Sequence, residues 1–169
     1  MSATDDATVE IKRLQHASEA DICARMMASS EPWITLRRGY HDSLKILTGP
    51  SREVHLATVE GEIAGFIILN MNGAFTGYIQ SVCVAPGWRN KGIGSRLLAF
   101  AEQRIFSETP NVFVCVSSFN KDAQRLYERL GYEVVGELKD YIVTGHSETL
   151  LRKTIAPLTD PKRVELPPR

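Results

Sequence analysis

Val82-Cys-Val-Ala-Pro-Gly-Trp-Arg-Asn-Lys-Gly-Ile-Gly-Ser-Arg-Leu-Leu98 is the segment of this chain whose residue types and spacing ask for a ligand. An apolar run closes at Val84, Pro86-Gly87 turns the chain, and Arg89, Asn90, Lys91, Gly92, Ile93, Gly94 and Ser95 lead into a helical pattern. Glycines at 92 and 94 strip side chains from the place where the helix begins. Its free N–H groups and the positive end of its dipole then face outward. Arg89 and Lys91 add positive charge beside it. The combination suits a phosphate or pyrophosphate, although taken locally the two glycines also suit nothing more than tight packing. Neither common phosphate loop is present. Ile93, not Lys, follows Gly92, and Leu97 stands where G-x-G-x-x-G puts its third glycine.

Periodicity defines the elements that must hold this segment. Val9–Leu14 alternates apolar and charged residues, as a half-buried strand does. Ser18-Glu-Ala-Asp21 has the form of a capping box ahead of a helix, with Ile22 and Met26 on one face. Ser29–Trp33 interrupts that helix, and a second short one is expected over Arg38–Leu47, stopped by Gly49-Pro50. Val54–Val59 and Ile63–Met71 read as a hairpin about Glu60-Gly61. After the Asn72-Gly73 turn come the strand Tyr78–Val84 and the helix Gly92–Phe106, with Ile93, Leu97, Ala101 and Ile105 at four-residue steps. Val112–Val116 is a buried strand. Asp122–Leu130 is a helix with Ala123, Leu126, Tyr127 and Leu130 on one face, ended by Gly131. Tyr132–Leu138 and about Glu148–Thr154 close the order. This is a mixed α/β layered domain rather than a regular βαβ repeat.

A chain of 169 residues fits one domain. Polar residues 1–8 and proline-rich 157–169 read as flexible tails. Lys+Arg and Asp+Glu balance at 20 each, which argues against a nucleic-acid or membrane-surface binder working by bulk charge and leaves room for a small local anion site. No apolar run approaches the roughly 18 residues of a membrane span, and the acidic N-terminus is unlike a signal peptide. Cys23, Cys83 and Cys115 are odd in number and widely spaced, so neither a disulfide framework nor a zinc ribbon is expected. His16, His41, His55 and His146 form no metal-ligand spacing. No metal and a reducing, cytoplasmic setting are the expectations.

Val82-x-Val84…Arg89-x-x-Gly92-x-Gly94 is similar to the acetyl-CoA signature of the GNAT superfamily of N-acetyltransferases. Asn120-x-x-Ala123-x-x-Leu126-Tyr127-x-x-Leu130-Gly131-Tyr132 resembles that superfamily's other motif. Both blocks lie in the right order, and the likeness covers residues 9–155. It implies the GNAT fold: a mixed, mostly antiparallel sheet of about seven strands with a splayed parallel pair, and helices on both faces. It also implies acetyl-CoA as co-substrate. The pantetheine arm would bond the backbone of Val82, Cys83 and Val84, and the pyrophosphate would rest on the amides from Arg89 to Ser95. Within the superfamily, Gly77-Tyr-Ile-Gln-Ser-Val-Cys-Val84, Lys139-Asp-Tyr-Ile142 and Ser30-Glu-Pro-Trp33 resemble segments of protein N-terminal acetyltransferases, including those acting on ribosomal proteins. Small-amine acetyltransferases share some of them.

The resemblance assigns roles residue by residue. Tyr127 matches the tyrosine that protonates the coenzyme A sulfur; taken alone it is equally a core aromatic. Some relatives carry a glutamate where this chain has Cys115, so the proton acceptor is open. Cys115 and Cys83 read as small buried hydrophobes. Glu31 is the candidate base or amine-holding carboxylate, and equally a solvated loop residue; water relayed through backbone carbonyls is the alternative. Asn120 contacts coenzyme A or orients Tyr127, or is simply a helix N-cap. Trp33, Gln80 and Tyr141 are candidate acceptor-site residues. The reaction implied is acetyl transfer to a primary amine by direct attack, the acceptor being a protein N-terminus or a small molecule. A coenzyme A-binding module without turnover is the rival from another class. A monomer and a homodimer both fit.

Overall fold

The computed structural model describes residues 8–159; the tails expected at 1–8 and 157–169 fall almost wholly outside them. Along the chain run β1 (Val9–Arg13), α1 (Ala17–Ala28), α2 (Tyr40–Leu47), β2 (Arg52–Val59), β3 (Glu62–Asn70), β4 (Tyr78–Val84), α3 (Ile93–Phe106), β5 (Asn111–Ser117), α4 (Lys121–Arg129), β6 (Glu133–Leu138) and β7 (Glu148–Thr154). The strands form one seven-stranded sheet in the order β1-β2-β3-β4-β5-β7-β6. Every neighbouring pair is antiparallel except β4–β5, which is parallel.

Strands β2 and β3 are apolar on both faces because both faces are covered. Val54, Leu56, Phe66 and Ile68 point to one side and pack with Cys23, Ala24 and Met27 of α1 and Leu47 of α2. Ala57, Val59, Ile67 and Leu69 point to the other, against Ile93, Leu97, Leu98, Ala101 and Ile105 of α3. The period of two in the strands and the four-residue steps in α3 thus meet in one layer. Full burial of each such Leu, Ile or Phe is worth about 1.5–3 kcal/mol. The hairpin turn falls at Glu60 and Gly61, both at positive φ (51° and 83°).

The start of α1 differs from the expected capping box. Its N-cap is His16, not Ser18, and Glu19 closes the box. The Glu19 carboxylate accepts the N–H groups of Gln15 (2.8 Å) and His16 (3.0 Å) and pairs with Lys12 of β1 (2.8 Å). A carboxylate tied to the preceding strand sets the helix start two residues earlier. The buried face of α1 is accordingly Ala20, Cys23, Ala24 and Met27, while Ile22 is 46% exposed. Helix α2 begins at Tyr40 rather than Arg38, since Arg37 lies at φ 56° and Gly39 is the N-cap.

Gly77 sets the parallel pair in place. At φ 88° its missing Cβ would lie 2.5 Å from the Asn111 carbonyl and from Ile105 Cγ2, so only glycine fits between β5 and α3. Its own carbonyl accepts the Phe113 N–H at 2.9 Å, which starts the β4–β5 ladder.

Candidate active site

That ladder is short. Only Tyr78 with Phe113 and Ile79 with Val114 are paired across β4 and β5. On its other edge β4 pairs with β3, where Ile79 faces Leu69 and Ser81 faces Ile68, leaving Gln80 as the extra residue of a bulge. A bulge bends its strand and sharpens the local twist. Here the two parallel strands separate from that residue onward. The β5-side edge of β4 from Gln80 to Val84 is left without a strand partner.

A cavity of about 730 Å³ fills the gap. Its walls include Gln80, Val82 and Val84 of β4, Cys115 and Ser117 of β5, Gly94 of α3, and Asn120 and Tyr127 at α4. Trp33 and Arg38 from the α1–α2 segment and Tyr141 from the β6–β7 segment also line it. Of the residues singled out in the sequence, Trp33, Gln80, Val82, Val84, Gly94, Asn120, Tyr127 and Tyr141 therefore share one space. Glu31, Cys83 and Arg89 do not line it. They border a second cavity of about 360 Å³, which adjoins the first through Trp33, Val82 and Val84.

The loop before α3 has the form its glycines suggest. Asn90 (φ 60°) and Gly92 (φ 80°) are left-handed, and Gly92 is the N-cap with no side chain to satisfy the first N–H groups of the helix. A Cβ at 92 would meet nothing within 4 Å, and one at 94 would meet only Val84 Cγ2, at 3.7 Å. The first amides of the helix, at Ile93, Gly94 and Ser95, are thus left without a capping side chain, the arrangement that favours an anion at a helix N-terminus. Ile93 contributes only its backbone there, because its side chain is buried in the core. Lys91 lies over the Trp88 ring at 5.0 Å. Arg89 is turned back, donating to the Val84 carbonyl (3.2 Å) and Ser30 Oγ (3.4 Å).

Asn120 is the N-cap of α4, its Oδ1 accepting the Ala123 N–H at 3.2 Å, while the residue also lines the cavity. Tyr127 is 6% exposed and meets Tyr132 edge to face. Burial, with the Glu102 carboxylate nearby, pushes its phenol pKa up, so the hydroxyl keeps its proton throughout the neutral range. Glu31 accepts the Thr35 N–H at 3.2 Å. Burial pushes the Cys83 thiol up to about 12, and it packs as a small apolar group. Cys115 differs: half-buried, it faces the cavity and pairs with the Tyr78 hydroxyl. Gln80 Oε1 and Ser81 Oγ are buried in the wall without hydrogen-bond partners. Among the described residues no group of three or more His, Cys, Asp or Glu could hold a metal ion.

Sequence reasoning passed over Glu148, the first residue of β7. It is 3% exposed, and its Oε1 accepts the Ser117 hydroxyl at 2.7 Å. Burial raises its carboxyl above the usual carboxylate range, an effect that Ser117, Arg38 and His146 partly offset. Its position becomes visible only through register, since Ser117 stands opposite Glu148. A lone acid opening a strand carries no such signal in the sequence. Phe75 and Tyr78 at the cavity wall were likewise unmarked.

A model of the acetyltransferase (GNAT) family matches residues 19–132. An N-alpha-acetyltransferase of Sulfurisphaera tokodaii is 29% identical over 110 residues, 57% of this chain and 65% of that protein, just under two thirds of its length. An aminoalkylphosphonate N-acetyltransferase of Salmonella typhimurium is 28% identical over 132 residues, 71% of this chain and 84% of the relative. Among solved structures, an aminoglycoside 6'-N-acetyltransferase complexed with coenzyme A superposes with a TM-score of 0.72 at 19% identity, covering 89% of this chain and 99% of that one. At that identity the likeness is one of fold.

Proposed function

Because this chain belongs to the GNAT family of acetyltransferases, we propose that residues 9–155 form an acetyl-CoA-dependent N-acetyltransferase that acts on a primary amine by direct attack. One observation carries the reading. The bare N-terminus of α3, the unpartnered edge of β4 and the phenol of Tyr127 all border the gap between β4 and β5. Bound there, acetyl-CoA supplies an electrophilic acetyl carbon and a thiolate leaving group.

The chain's own residues divide the remaining work. The amides of Ile93, Gly94 and Ser95, with Asn90, Gly92 and the charges of Lys91 and Arg89, hold the pyrophosphate. Backbone groups of Val82 and Val84 extend the sheet along the pantetheine and Asn120 borders it, whereas Cys83, expected to share this role, turns its carbonyl toward Gly65 of β3 and does not line the gap. Tyr127 Oη holds the proton that the departing sulfur needs. Trp33, Gln80 and Tyr141 wall the acceptor end. Glu31, in the adjoining cavity, draws the cationic amine toward the opening.

The acceptor we favour is a protein N-terminal amine. Phe75 (52% exposed) and Tyr141 (62% exposed) rim the cavity with open aromatic surface suited to a peptide segment, and the Sulfurisphaera relative bears an N-alpha-acetyltransferase name. A small anionic amine is the second reading. Arg38 and Arg52 line the cavity, and neither makes an ion pair with a described carboxylate, which suits a phosphonate or carboxylate on the acceptor. Thiol release from acetyl-CoA, assayed against a short peptide library beside free amines, tests both. Release with peptides alone supports the first reading, and release with free amines alone supports the second. Acetyl-CoA binding with no release for any amine would leave a coenzyme-binding module.

A further inference from the structure

Direct attack needs a neutral amine, so some group must take a proton from the ammonium form. Among the described residues, Glu148 is the single carboxylate lining the larger cavity, and Glu31 the single one lining the smaller. Cys115 and Ser117 lie two apart on β5 and share a face, and Glu148 stands opposite Ser117 on that same face. One of its oxygens accepts from Ser117, and the other has no hydrogen-bond partner among the described residues. Tyr127 lines the same cavity. We propose, resting on the acetyltransferase reading, that Glu148 is the proton acceptor for the amine, reaching the gap from β7.

The proton count closes. One N–H bond of the ammonium breaks and an O–H bond forms on Glu148, leaving a lone pair on nitrogen. That pair forms the N–C bond to the acetyl carbon as the C–S bond breaks and its electrons go to sulfur. The sulfur takes the proton held by Tyr127 Oη. A second proton leaves nitrogen as the amide forms and restores Tyr127 through water, and Glu148 returns its proton to solvent. The net change is ammonium plus thioester to amide, thiol and one proton.

The surroundings suit this role. Arg38 from the α1–α2 segment and His146 from the β6–β7 segment favour the carboxylate. Cys115 on β5 and Tyr78 on β4 feel its charge from the cavity wall. Burial outweighs the favourable contacts, so the carboxyl titrates above its ordinary value, nearer to the pH at which a base must work. Ser117 fixes one oxygen and so orients the other.

The test is the pH dependence of kcat/KM for wild type, Glu148→Gln, Glu148→Asp and Glu31→Gln, with the amine that gives thiol release. Gln keeps an oxygen for the Ser117 hydroxyl, and thermal unfolding checks that each variant is folded. Glu148→Gln should lose about 10²–10⁴-fold below the amine's own pKa, with the gap closing above it, where the amine arrives neutral. Glu148→Asp should recover the acid limb of the profile. In the free protein, ¹³C NMR of labelled glutamate should show a carboxyl that titrates high, is missing from Glu148→Gln, and shifts when the amine is added. A Glu148→Gln deficit constant across pH, an acid limb lost in Glu31→Gln instead, or a carboxyl resonance indifferent to the amine would overturn the proposal. Wild type silent toward every amine would instead sink the acetyltransferase reading on which it rests.

Discussion

The rings of Tyr127 and Tyr132 meet edge to face, centroids 5.1 Å apart, one on α4 and the other just before β6. The contact is one of ring against ring, which phenylalanine also makes. Tyr127→Phe therefore keeps the packing and removes only the proposed acid. We expect kcat to fall by about 10²–10⁴-fold, or roughly 3–5 kcal/mol of barrier, with acetyl-CoA affinity little changed. Steady-state kinetics beside a binding titration checks this. Turnover within twofold of wild type, with chemistry rate-limiting, would return Tyr127 to a core aromatic.

At the other end of the gap, Gly94→Glu separates folding from binding. A Cβ at 94 makes only ordinary contact with Val84, and an acidic side chain in a first helical turn is itself stabilising. The same carboxylate would occupy and repel the anion site. Acetyl-CoA affinity should fall at least about tenfold, a loss of roughly 1.4 kcal/mol, while the melting temperature holds or rises. Arg89→Ala should act in the same direction but more weakly, because its exposed charge is screened by salt and its guanidinium is engaged by Val84 and Ser30. Unaltered affinity in folded Gly94→Glu would remove the pyrophosphate from this loop.

The parts of the site legible in the sequence are those made by short-range patterns. Glycines at a helix start and the spacing from Asn120 to Tyr132 state their geometry within one or two turns of chain. Strand β4 was readable to its end residues because its flanks are a glycine and a Pro-Gly turn. Features that depend on register were hidden. The Gln80 bulge exists only relative to Leu69 and Ile68 of β3, and the Ser117–Glu148 pair only relative to the alignment of β5 with β7. The N-cap of α1 was misplaced for a similar reason, since the Lys12 that holds Glu19 lies seven residues away on β1.

Glu19 makes that last point measurable. Its hydrogen bonds to Lys12, Gln15 and His16 hold the carboxyl at about 2. A depressed carboxyl contributes stability that is present above its unfolded value and is lost as pH falls through the folded one. Glu19→Ala should cost about 0.5–2 kcal/mol at pH 7, the usual range for a lost cap. The difference from wild type should shrink as pH drops from about 4.5 toward 2. Urea melts across that range test it, and a deficit that does not vary with pH would mean that Glu19 acts by packing alone.

Glu148 has the opposite sign. Its carboxyl is raised by burial, so the unfolded chain gives up this proton at lower pH than the folded protein does. The contribution to stability is fully present below the unfolded value and is lost as pH rises through the folded one. Above its folded value the protein therefore carries a buried carboxylate that Ser117, Arg38 and His146 only partly compensate, at a cost in stability. Glu148→Gln removes that charge and keeps an oxygen for the Ser117 hydroxyl at the position where 2.7 Å separates the pair. The variant should melt above wild type at pH 8, with the two curves converging as pH falls toward 4. A group placed for packing would show no reason to tolerate such a cost, whereas a proton acceptor must be charged and only partly satisfied before substrate arrives. Differential scanning calorimetry of both proteins across that range reads the sign directly. A Glu148→Gln protein less stable than wild type at pH 8 would mean that the carboxylate is held by structure rather than strained against it.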